Sequence, residues 1–181
     1  MPTRVPSLLT TDDLPLAELH ALRLDGVVVG VDGCFAPIDE VPGATQRANA
    51  LAVGLHDRLI AEQWTAAWVW GATATAALPH QFCVGLEARV THSISPSMTL
   101  REVVIDATDI AQVGSLGVTT PRRTVVDLAR FSPAWRREEQ DVVAALIDVG
   151  SVTPLDLENE LDRNKLPHKR RAQERLGLSP S

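Results

Sequence analysis

Gly117-Val118-Thr119-Thr120-Pro121-Arg122-Arg123-Thr124-Val125-Val126-Asp127-Leu128-Ala129-Arg130 carries the reading of the fold. Its first residues close a short β-prone run over 116–119. Thr120-Pro121 is then a helix start, with a hydroxyl to cap the free N–H groups and a proline at the first helical position. Val125, Val126, Leu128 and Ala129 give the helix one apolar face, which ends near Phe131. Arg123 and Asp127 stand four apart on one side of that helix. They form either an ion pair that fixes helix to sheet or an arginine presented to a partner, and the spacing favours the ion pair.

The same start signal recurs downstream. Ser132-Pro133 predicts a helix running to about Val149, with Val142, Val143, Leu146 and Ile147 inward. Thr153-Pro154 predicts a third helix to about Arg163, and a fourth covers 167–176. Upstream, short β-branched runs predict strands at 81–84, 88–93, 100–105 and 109–113, with Gly114-Ser115 as a turn. Before them come a helix over 44–58, a brief strand at Ile60-Ala61 and a short helix over 66–70, capped by Thr65 and closed by Gly71. Trp64, Trp68 and Trp70 make that segment a core anchor.

The N-terminal end reads as helix, short turn, helix, then hairpin. Thr10 or Thr11 caps a first turn carrying Asp12 and Asp13, and Pro15 starts a second helix with Leu16, Leu19 and Leu22 inward. Gly26 stops it. Asp32-Gly33 lies between the β-prone runs 27–31 and 34–38, a strong hairpin signal. The whole is an α+β protein: a small winged-helix-like unit over 1–42, then a mixed domain over 43–181 of short β-strands packed with C-terminal helices.

Composition bounds the function. The 181 residues hold 45% hydrophobic and 22% charged side chains, the balance of an ordinary globular protein. The net charge of −6 argues against a generally basic nucleic-acid coat. It is unevenly spread: residues 1–45 carry −5, residues 46–120 carry −2 and residues 121–181 carry +1. No run approaches the apolar length of a membrane helix. Cys34 and Cys83 are isolated, which predicts two thiols in a reducing cytosol and no disulfide framework.

No motif predicts catalysis. Gly26, Gly30 and Gly33 lack the spacing of a dinucleotide loop, so a glycine-punctuated hairpin is the better reading. His80, Cys83 and His92 lack a fourth ligand at zinc spacing. Glu87 and Arg89 echo part of a nuclease site without its lysine. Gly114-Ser115 is not followed by the Asp pair that would hold magnesium in a nucleotidyltransferase. The expectation is no catalytic residue, no metal and no cofactor.

The block Thr119-Thr120-Pro121-Arg122-Arg123-Thr124 with Asp127-Leu128-Ala129 resembles the T-[ST]-P-x-R-T-x-x-D-L-A signature of AbiEi-type antitoxins, the antitoxin half of type IV toxin–antitoxin systems. Thr65-Ala66-Ala67-Trp68-Val69-Trp70-Gly71 is similar to the family's S-A-A-x-L-W-G helix. Leu9-Thr10, the following helix and the Asp32–Phe35 hairpin are similar to its shortened winged-helix start. The resemblance implies a winged helix that binds promoter DNA, here offering Thr10, Thr11, His20 and Arg23. It also implies a C-terminal domain that opposes a nucleotidyltransferase-type toxin. The candidate contacts for that partner are Arg122, Arg123, Arg163, Lys165, Lys169, Arg170 and Arg171. Two alternatives stay open: a DNA-binding regulator without a toxin partner, and a nuclease-related scaffold that has lost its site.

Overall fold

In the computed structural model, residues 7–87, 95–163 and 166–179 are described. By contacts the chain divides into two units, Met1–Asp57 with Val113–Leu116, and Arg58–Gln112 with Gly117–Ser181. No helix among the described residues is long and apolar enough to cross a membrane.

The first unit is built on a hairpin. β1 (Val28–Val31) pairs antiparallel with β2 (Cys34–Pro37), and Val31 faces Cys34 across a two-residue loop. Asp32 and Gly33 have φ of 47° and 80°, the paired left-handed geometry that matches strand twist and that Asp-Gly adopts readily. Helix α1 (Leu16–Leu24) packs Leu19 against Leu9, Val28 and Phe35. Only one helix precedes the hairpin among the described residues, which corrects the expected pair. Thr10 to Leu14 make a single turn, because the proline that follows disfavours helical geometry at Leu14. Helix α2 (Ala44–Ala52), which the sequence reading placed in the second domain, groups with this unit. It ends six residues short of the expected Arg58, ahead of Gly54 at φ 73°.

The second unit holds a sheet of order β5-β4-β3-β7-β6. Its strands are β3 (Ile60–Ala61), β4 (His80–Gly85), β5 (Met98–Val103), β6 (Ile110–Val113) and β7 (Leu116–Thr119). β3 is antiparallel to β4 and parallel to β7, and β4 is parallel to β5. The expected strand over 88–93 lies outside the described residues. Helix α3 (Gln63–Val69) begins at Glu62 rather than at Thr65. The Thr65 hydroxyl is committed elsewhere: it accepts the Gln81 N–H at 2.7 Å, while Gln81 Oε1 accepts the Trp64 N–H at 2.9 Å. This reciprocal pair clamps the tryptophan helix to β4. Trp68 is buried, Trp64 and Trp70 pack against the core that holds Ala67, Val125 and Leu128, and Trp70 Nε1 donates to Thr119 O at 2.8 Å.

Four helices follow: α4 (Pro121–Phe131), α5 (Arg137–Gly150), α6 (Pro154–Asp162) and α7 (Lys169–Leu176). Their shared core includes Val125, Leu128, Val143, Leu146, Leu161 and Ala172. Thr120 caps α4, and its hydroxyl accepts the Arg123 N–H. Ser132 does not cap α5. It closes α4 by donating its N–H to Leu128 O, and α5 starts at Arg137, where Glu139 accepts the Arg136 N–H at 2.7 Å. A buried residue that ends one helix is not free to begin the next. Gly150 ends α5 against α4: a Cβ there would lie 2.6 Å from Pro121 Cβ and 2.8 Å from Val152 Cγ2.

Gly150→Ala is therefore expected to destabilise the unit by about 1–3 kcal/mol through overpacking, read as a lowered denaturation midpoint. The Thr153 cap supplies a pH test. Thr153 Oγ1 and N–H both donate to Asp156 and hold its carboxyl below the ordinary carboxylate range. A lowered native pKa means the box stabilises the fold above about pH 4 and loses that contribution as pH falls through the depressed value. Asp156→Asn is expected to remove this part of the acid dependence of stability, measured by denaturation at stepped pH.

Candidate functional site

The quoted helix α4 turns its charged residues inward. Arg123 is 7% exposed and Asp127 is 1% exposed. Arg123 Nε donates to Asp127 Oδ2 at 2.9 Å, so the pair expected from spacing is formed. Its other branch was not legible locally: Nη1 donates at 2.9 Å to Asp109 Oδ2, a buried carboxylate just ahead of β6. Asp127 also takes Arg130 Nη1 at 3.0 Å through its second oxygen. Asp109 takes Arg163 Nη1 at 2.8 Å and lies 3.6 Å from Arg122 Nη2. Glu160, also buried, lies 3.1 Å from Arg122 Nε and 2.9 Å from Arg163 Nη1. Arg163 reaches Asp106 as well. One acidic hub and its neighbours thus join the start of β6, α4 and the end of α6.

A second pair stands beside the first. Arg101 of β5 donates through Nε and Nη2 to both oxygens of Glu62, the buried residue that begins α3. The guanidinium carbons of Arg101 and Arg130 each lie 4.5 Å from the centre of the Phe131 ring, a cation–π distance. Arg130 Nε donates to Pro167 O, and the Phe131 ring meets His168 edge-on.

Burial alone would push the buried guanidiniums toward neutrality. For Arg123 burial is the largest single effect, but the charge and hydrogen bond of Asp127 with the charges of Asp109 and Glu160 together outweigh it and hold the group above its ordinary value. Glu62 does the same for Arg101. Burial wins at Arg130, which is lowered, with Arg123 and Arg101 adding to the effect against Asp127. Hydrogen bonds to Asp109 and Glu160 raise Arg163.

A groove of about 530 Å³ opens over this network, with Arg101, Val104, Arg130, Phe131, Arg163 and Leu166 among its walls. The described residues that line it include no Ser, Thr, Cys, His or Lys. Of its carboxylates, Asp106, Asp109 and Glu160 hold guanidiniums. The described residues that line it carry four arginines and four carboxylates, a charge-balanced surface.

The remaining candidates separate clearly. Arg122, Arg123 and Arg163 sit in the ion-pair network, and Lys169 pairs with Asp162. Lys165 lies outside the described residues. Arg170 and Arg171 are exposed and have no ion-pair partner among the described residues. In the first unit the Thr10 hydroxyl donates to Asp13 and accepts the Asp12 N–H. His20 is exposed and meets the Phe35 ring edge-on, while Thr11 and Arg23 are exposed. Cys83 is buried in β4, and burial together with Glu62 pushes its thiol up. His92 lies outside the described residues. No group of three His, Cys, Asp or Glu suited to a metal occurs among those described.

The reading from sequence missed Asp109, Glu160 and the Glu62–Arg101 pair. The partners of Asp109 and Glu62 lie 14 to 54 residues away, so no local spacing marks them, whereas Glu160 and Arg163 stand three apart. A signal in the sequence was a carboxylate directly next to a short β-prone apolar run, as Asp109 before Ile110 and Glu62 after Ile60-Ala61. Removing either Arg123 or Asp109 (Arg123→Ala, Asp109→Ala) is expected to cost about 3–5 kcal/mol, because each leaves buried charges uncompensated. The double variant is expected to cost less than the sum of the two. Urea denaturation of the four proteins measures that cycle, and additive losses would contradict a shared network.

The model of the AbiEi antitoxin C-terminal domain family matches residues 60–178. No match was found among curated proteins. Among solved structures, the crystal structure of the RV2827C protein from Mycobacterium tuberculosis is similar, with 18% identity and a TM-score of 0.51. The match covers 95% of this chain and 72% of that one, and at this identity it speaks for a common fold. The matched residues contain the whole ion-pair network, from Glu62 through Asp109 and Arg123 to Arg163. By that match over well more than half its length, the chain belongs to the AbiEi antitoxin C-terminal domain family.

Proposed function

We propose that the protein is a non-catalytic regulator of a toxin–antitoxin system that acts by binding a partner protein through its second unit. Family membership ties the chain to such systems, and the family implies a toxin partner in general. The finer reading takes a nucleotidyltransferase-type toxin as that partner. The observation that carries the choice of surface is the state of the arginines. Arg122, Arg123 and Arg163 are spent on Asp109, Asp127 and Glu160, and their work is to hold the fold. Arg175 is spent too: it donates to Ala129 O and Ser132 O at the end of α4 and lies over the Trp135 ring. Arg170 and Arg171 on α7 keep their charge for something outside. They are the contacts of choice for an acidic patch on the partner, and exposed charges of this kind chiefly steer association.

Autoregulation at the promoter is a second reading, kept because Thr11, His20 and Arg23 are exposed on the first unit. With −5 over residues 1–45 it predicts weak binding that fades steeply with salt.

The test is co-expression of the full chain with the product of the adjacent gene, followed by co-purification. A complex is expected with the natural chain. The double variant Arg170→Glu with Arg171→Glu is expected to melt as the natural protein does and to bind about tenfold or more weakly. Undiminished binding would move the interface elsewhere, and the absence of a complex would remove the partner reading. A gel shift on the chain's own promoter, at low and raised salt, decides the second reading.

A further inference from the structure

We infer that the open face of the hairpin in the first unit is a docking surface for a protein segment that presents apolar side chains between Lys or Arg. Side chains of a hairpin alternate between two faces. Val28 and Phe35 turn to Leu9 and Leu19. Val31, Cys34 and Ala36 occupy the other face and are buried, with Cys34 Sγ 4.0 Å from Ala50 O of α2. That cover stops before the base of the hairpin. There the Ile38 N–H donates to Val27 O at 3.0 Å, which extends the β1–β2 register by one pair and sets Val27 and Ile38 opposite each other on the α2 side. They are 50% and 55% exposed, and Leu24 and Val41, three residues away along the chain on either side, are each 89% exposed. Val27 and Ile38, paired across the two strands, form the apolar centre of the surface, and a contiguous exposed apolar pair with apolar neighbours along the chain marks a contact surface more often than isolated side chains do.

The charges choose the occupant. The segments that carry these side chains also carry Asp25, Asp39 and Glu40, none with an ion-pair partner among the described residues. The unit as a whole holds three basic groups, Arg4, Arg23 and Arg47, against eight acidic ones. A second copy docked through the same face would set these carboxylates against themselves, and nucleic acid would meet the same repulsion. A partner with Lys or Arg flanking an apolar centre covers the valine and isoleucine and neutralises the rim at once. This surface goes beyond the function proposed above. It lies on the other unit and uses none of the arginines invoked there, so either idea can fail without the other.

The probe is a fluorescein-labelled amphipathic Leu/Lys peptide, titrated into the full chain by anisotropy, with a Leu/Glu peptide of the same length as control. Saturable binding of the Leu/Lys peptide is expected at low salt, weakening as salt rises, with none by the control. Ile38→Ser, and separately the double variant Asp39→Lys with Glu40→Lys, are each expected to weaken it about tenfold. Leu155→Ser, at an exposed apolar position of the second unit, is expected to leave it unchanged. Circular dichroism checks that every variant folds. The proposal is overturned by any of three results: no saturable binding at low salt, binding indifferent to both hairpin variants, or a concentration-dependent dimer abolished by Ile38→Ser, which would make a second copy the occupant.

Discussion

The buried carboxylate of Asp109 is the constraint on which the second unit turns. An ionised group at 2% exposure is expensive unless its charge and lone pairs are answered. Arg123 and Arg163 answer it directly, with Arg122 close by. Arg122 and Arg123 come from the start of α4 and Arg163 from the end of α6, so satisfying one carboxylate places α4 and the end of α6 against the start of β6. Asp127 repeats the device one helical turn along α4 by holding Arg123 and Arg130 together. Ion pairs of this kind contribute little net stability over an apolar core, but they penalise wrong arrangements heavily. Their effect here is to select one packing of helices on the sheet.

That selection bears on function through what it uses up. An arginine that hydrogen-bonds buried carboxylates has fewer donors and a partly compensated charge to offer a partner. The signature block of α4 is part of a buried ion-pair network in this structure, and among the exposed features are the groove at Phe131, Arg170 and Arg171 of α7, and the base of the hairpin in the first unit. These surfaces differ in sign. The exposed charge of α7 is positive and that of the hairpin base is negative, so they call for different chemistry in whatever covers them.

Much of the architecture was legible because its signals close within a few residues. Asp32-Gly33 adopts left-handed geometry and dictates a hairpin register without help from elsewhere. Thr120-Pro121 and Thr153-Pro154 each satisfy the first N–H groups of their helices from the preceding hydroxyl. Arg123 and Asp127, four apart, meet on any helix. The misreadings share a cause. Ser132-Pro133 has the same letters as the true caps, but Ser132 was already committed to ending α4. Thr65 likewise answers Gln81, sixteen residues on, and the helix starts three residues earlier than expected, after Glu62.

The amino-acid order by itself determined the α+β class, most element positions, the inward face of α4, its family signature and the lopsided charge. All of these rest on interactions between near neighbours or on simple counts. Only the tertiary structure decided which charges are spent and which remain free. Asp109 meets Arg123 across 14 residues and Arg163 across 54, and Glu62 meets Arg101 across 39. No spacing rule reaches that far, because such contacts exist only after the sheet and helices have closed on one another and expelled the water that would otherwise solvate each charge.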